Sequence, residues 1–147
     1  MKKIILSTIV TTTVILSASE YVIKTGVLSV DATITKIEKI IASKKGLGVF
    51  TIIDYKKGAD RVGLALEDTK VILFGNPKMG TKLMQKDALT ALDLPIRVLV
   101  YKEQDKTKIV YRDPKEWSSH FKLQGSKMVE KMTKALDIIT TKASQKE

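Results

Sequence analysis

The run Gly75-Asn76-Pro77-Lys78-Met79-Gly80-Thr81-Lys82 gathers the residue types best suited to hold a small anion. Asn76 is a cap residue whose amide oxygen can accept an orphan N–H of a helix start. Pro77 fits the first helical position, where no donor is needed. The N–H groups that follow point out of the helix end, where the helix dipole places roughly half a positive charge. Gly75 and Gly80 leave room for close approach, Lys78 and Lys82 stand four apart on one face, and Thr81 adds a hydroxyl donor. A phosphate, sulfate or carboxylate suits such a place. The glycine spacing and terminal Lys-Ser/Thr pair of a P-loop are absent. Capping alone also accounts for Asn76 and Pro77, with Gly80 then serving helix packing.

Other chemistry is thinner. His120 is the only imidazole and there is no Cys, so metal ligands would have to come from Met79, Met84, Met128 and Met132. Thioethers suit copper(I), but methionine is equally a core filler. No metal and no cofactor is expected. A Ser-His-Asp arrangement would need His120 with Ser118 or Ser119 and Asp113, and adjacency in sequence is not triad geometry. An enzyme of unassigned chemistry is the alternative reading, with Asp54, Lys78 and Asp93 in a cleft.

Those residues need elements to hold them. Residues 21–29 alternate loosely and read as a strand. Asp31 is the expected cap of a helix carrying Ile34, Ile37, Ile40 and Ile41 at helical spacing, closed by Gly46. Residues 49–53, 70–74, 96–101 and 108–111 read as strands, and Gln104-Asp105 turns between the last two. A short helix is expected over 57–64, a second from Asn76, and a turn of helix from Asp113-Pro114 through Trp117. Ser126 is the expected cap of the last helix, whose apolar stripe is Met128, Met132, Ala135, Leu136 and Ile139. Residues 143–147 read as a frayed tail. One tight turn joins two strands directly. The class is α+β: one small domain, with a mainly antiparallel sheet and helices packed on one face.

Several spaced blocks then form a pattern. They are Ile53-Asp54, Gly58-Ala59, Val62-Gly63-Leu64, the run from Phe74 to Gln85, Leu92-Asp93-Leu94-Pro95 and Tyr111-Arg112-Asp113-Pro114. Over roughly residues 53–116 this chain resembles the domain of unknown function 302 family. The resemblance implies a small α+β domain, often exported or attached to other modules, and supplies no catalytic residue. Tyr55 follows Asp54 where many members have His, and Gln104-Asp105-Lys106 lacks the hairpin glycine.

The N-terminus sets the compartment. Lys2 and Lys3 precede the uncharged residues 4–16, and Ser17, Ala18 and Ser19 are small, so residues 1–19 read as a signal peptide. Cleavage after Ser19 places Ser17 at the third residue before the cut; cleavage after Ala18 places Leu16 there, a poorer fit. An uncleaved anchor is the alternative, although the apolar run is short of the roughly 20 residues of a bilayer span. Processing leaves residues 20–147, a periplasmic or secreted domain with no stable membrane span. Its 24 basic and 16 acidic side chains give net +8, against +10 for the whole chain. The lysines are scattered over several helices and turns beside only three Phe and one Trp, so no nucleic acid is expected as partner. The expected function is a binding or accessory module for a small anionic ligand or a protein partner, with self-association left open.

Overall fold

The computed structural model describes residues 20–146, and the expected signal peptide lies outside them. The chain runs β1 (Tyr21–Gly26), α1 (Val30–Ala42), β2 (Gly48–Asp54), α2 (Tyr55–Arg61), β3 (Thr69–Gly75), α3 (Pro77–Lys86), β4 (Ile96–Glu103), β5 (Lys106–Arg112), α4 (Trp117–His120) and α5 (Lys127–Ser144). Short 3₁₀ turns cover Ala88–Leu92 and Pro114–Glu116. The strands form one antiparallel sheet in the order β1-β5-β4-β3-β2. This is the expected α+β class.

Alternation decides which face is covered. In β4, Ile96, Val98 and Val100 are buried while Arg97 between them is exposed. With Ile72 and Ile109 they join Ile34, Ile37 and Ile41 of α1 and Leu136 and Ile139 of α5 in one core. The opposite face carries a row across all five strands: Ile23, Val110, Leu99, Val71 and Ile53 are successive cross-strand partners.

Several boundaries differ from expectation. Ser29 caps α1, not Asp31. Its hydroxyl accepts from the Ala32 N–H at 3.2 Å, while Asp31 sits in the first turn and pairs with Lys70. β1 stops at Gly26, where a Cβ would stand 3.6 Å from the Ser144 Cα, and the Val27 N–H bonds to the Ser144 carbonyl. Helix α1 ends at Ala42, so Gly46 lies in the loop beyond it rather than closing it, although its φ of +82° does call for glycine. Ser126 holds the cap position of α5, yet its buried hydroxyl makes no hydrogen bond. The buried stripe of α5 includes Val129, Thr140 and Ala143, with Met132, Leu136 and Ile139. In β2, Val49 pairs with Phe74 and Thr51 with Leu73, so Phe50 is an extra, bulged residue.

Candidate functional site

The bulge, the start of α3 and the middle of α5 border a cavity of about 390 Å³. Leu83, Phe74, Ile96, Leu136 and Ile139 of the core form its floor, and Phe50, Leu94 and Pro95 stand at its margin. The volume lies in the usual range for small-molecule pockets, roughly 300–1,000 Å³. Its lining is almost wholly apolar, with Asn76, Thr81 and Lys131 as the polar members. Met79, Met84 and Met132 all face it. Their unbranched thioethers make that wall adaptable.

The local sequence explains how α3 is placed. The Asn76 side-chain oxygen accepts from the Met79 N–H at 3.1 Å, its carbonyl accepts from the Gly80 N–H at 2.9 Å, and Pro77 takes the first helical position. The loop after α1 locks onto this cap: a Cβ at Gly46 would lie 2.9 Å from the Asn76 side-chain nitrogen. At Gly75 a Cβ would lie 3.4 Å from the Phe50 ring, which the bulge lays over that glycine. Gly80 is less confined. A Cβ there would meet only the Leu94 methyl, at an ordinary 3.6 Å. Asn76→Ala is expected to cost about 0.5–2 kcal/mol of stability through the lost cap. Thermal melts of the two proteins check this, and an unchanged melting temperature would show that the cap is dispensable.

Of the expected anion ligands, Gly75, Asn76, Gly80 and Thr81 line the cavity. Lys78 and Lys82 are exposed on α3 and do not join the lining, where Lys131 of α5 supplies the ammonium. Sequence reading did not pick out Lys131 or Phe50, because one reaches the cavity from a distant helix and the other through a bulge.

Asp54, Lys78 and Asp93 do not share a cleft. Asp54 caps α2 by accepting from the Lys57 N–H at 2.9 Å and pairs with Lys70 at 3.0 Å. The Lys57 N–H first, and then Lys70, hold its carboxyl below the usual carboxylate range. Lys70, held above the usual range by Asp31 and then Asp54, is opposite Val100 in the sheet. Asp93 lies at the other end, 3.0 Å from Arg112 and 3.6 Å from Arg97. Tyr55 is exposed on α2.

Nor is a triad assembled at His120. The Ser118 hydroxyl donates to the Lys115 carbonyl and Ser119 to the Glu116 carbonyl, while Asp113 accepts from the Lys115 N–H. His120 is exposed, edge-on to Phe121. Among the described residues no three His, Asp or Glu side chains gather as a metal site would require, and no helix is long and apolar enough to cross a membrane.

Known proteins share this architecture. A crystal structure of an uncharacterized conserved DUF302 protein from Bacillus stearothermophilus superposes with a TM-score of 0.77, covering 86% of this chain and 99% of that one, at 18% identity. Proteins named fluoride-specific ion channel FluC 1, from Brucella suis biovar 1 (strain 1330) and Brucella abortus biovar 1 (strain 9-941), are each 43% identical over 81 residues. That match takes up 53% of this chain but only 32% and 30% of those proteins, so the chain spans about a third of the length of these curated relatives. The profile of the family described as "Domain of unknown function DUF302" matches residues 21–139, nearly all of the described fold and well beyond the blocks at 53–116. The chain belongs to the DUF302 family.

Proposed function

We propose that this protein is an exported binding or accessory module that holds a small ligand in the cavity beside α3, with an anionic group of that ligand toward Lys78, Lys82 and Lys131. One observation carries the reading: the residues that distinguish the family block, Phe74 to Met84, form a wall of an apolar cavity of about 390 Å³ instead of closing it. Side chains that only built a core would fill such a space, since a void forfeits packing energy. Lys131 brings positive charge to the lining and Lys78 and Lys82 stand exposed on α3, in a processed domain of net charge +8. An accessory role agrees with relatives in which the matching segment is about a third of a larger protein. Export rests on the pattern of residues 1–19.

Gly80→Leu tests the reading directly. The new side chain would start toward Leu94 and occupy the cavity, and a helix tolerates Leu better than Gly by up to about 1 kcal/mol. Anilinonaphthalene sulfonate, an apolar body with an anionic group, serves as probe. Its saturable binding to the native protein is expected to weaken about tenfold or more in Gly80→Leu without a lower melting temperature. Lys78→Ala with Lys82→Ala is expected to weaken binding less and to flatten its salt dependence. Affinity unchanged by Gly80→Leu would rule out the cavity as the site.

A further inference from the structure

A second cavity, of about 310 Å³, lies away from α3 at the end of the sheet where β1 and β4 begin and β5 ends. Its apolar lining includes Val71, Leu99 and Val110, three members of the cross-strand row on the face opposite the core. Its polar lining includes Asp93, Arg97 and Arg112. Trp117 also borders it. This indole is 2% exposed, and its N–H has no hydrogen-bond partner. A buried donor left unpaired costs about 1–3 kcal/mol, so a site beside it rewards a molecule that brings an acceptor.

The charges decide what kind of acceptor. Asp93 is only 12% exposed at its side chain, accepts from Arg112 at 3.0 Å and stands 3.6 Å from Arg97. Glu20 pairs with Arg112 as well. Both nearby carboxylates are thus committed to guanidinium groups, and a cationic ligand would have to separate those pairs. Arg97 is the less committed cation: it is half exposed and gives one N–H to the Leu92 carbonyl at 3.0 Å. Arg97 faces Asp93 and the Leu92 carbonyl through one nitrogen and keeps further N–H groups for an incoming carboxylate, while the buried Trp117 N–H is the lining donor that lacks a partner. The Val71, Leu99 and Val110 surface then favours an apolar body, and a volume at the low end of the small-molecule range suits a compact one.

We propose that this cavity is a separate ligand site for a small monocarboxylate on a compact apolar body, with Trp117 and Arg97 as its polar contacts. The site draws on two blocks of the family pattern, Leu92-Asp93-Leu94-Pro95 and Tyr111-Arg112-Asp113-Pro114, that the α3 cavity uses only through Leu94 and Pro95.

Trp117 is the chain's only tryptophan, so a proton–nitrogen correlation spectrum holds one indole resonance to follow. Titration with cyclohexanecarboxylate is expected to displace that resonance along a saturating curve. Cyclohexylmethanol, the neutral analogue, is expected to bind more weakly. Arg97→Gln should weaken the carboxylate about three- to fivefold, the range of a half-exposed charge contact. Gly80→Leu, which fills the other cavity, should leave the response intact. A displacement that stays linear and matches sodium chloride would overturn the proposal. So would equal affinity for the alcohol, an unchanged affinity in Arg97→Gln, or a response abolished by Gly80→Leu, which would place the probe in the α3 cavity.

Discussion

Leu136→Ala is expected to lower the stability of the protein by about 2–5 kcal/mol, the range of buried leucine truncations. Leu136 lies midway along α5, is 2% exposed and belongs to the single core cluster with Ile37, Ile72 and Ile139. Its removal forfeits apolar burial and leaves space that the surrounding strands and helices close only in part. Ile138, two residues on and 47% exposed, provides the contrast: Ile138→Ala should stay within about 0.5 kcal/mol of the parent. Denaturant midpoints at constant slope separate the two. A midpoint unmoved by Leu136→Ala would mean that α5 does not seal the core.

The second large effect is alkaline. Burial pushes the Tyr111 phenol up to about 12, and the nearby Asp137 carboxylate adds to this. An unfolded tyrosine ionises near 10. The unfolded chain therefore loses its proton first, and between roughly pH 10 and 12 it binds fewer protons than the native state. Stability is whole below that window and falls through it, by about 2–3 kcal/mol for two pK units. Lysines titrate there too, so the measurement is the difference between the parent and Tyr111→Phe. The variant keeps the ring in the core and has no proton to lose. Its stability should fall less steeply above pH 10, and the gap between the proteins should shift in the variant's favour by about 2 kcal/mol. Parallel curves from pH 9 to 12 would show that Tyr111 ionises without strain.

What the chain revealed in advance follows from the range of the interactions involved. Short runs rich in β-branched and aromatic residues located β2 to β5 to within a few residues, because strand preference is carried by the segment itself. Asn76-Pro77 located α3 because capping is completed within one turn, and the same holds for Asp113-Pro114. The cap of α1 was misplaced by two residues: Ser29 and Asp31 are both good caps, and the pull of Lys70 on Asp31 comes from a strand some forty residues away. The site was legible only as a segment. Gly75 to Lys82 was visible, while the cavity it borders depends on Phe50, Pro95 and Lys131 arriving from three other elements. Asp93 and Arg112 are 19 residues apart and meet only when β4 and β5 pair, so nothing in their spacing announces the contact.

The bulge at Phe50 has a bearing on how this protein behaves in company. Strand β2 is an outer strand of the sheet, and Val49, Phe50 and Ile53 are all exposed on it. A β-branched, aromatic segment of this kind, with unsatisfied backbone groups along its rim, is a template for recruiting a strand from another molecule. The extra residue breaks the template. It puts the backbone groups on either side of Phe50 out of phase, so a straight incoming strand could match one half of β2 but not both. The irregularity that lays an aromatic ring over Gly75 thus also guards against aggregation. Any change that regularised β2 to tidy the cavity margin would trade the Phe50–Gly75 contact for a sticky edge.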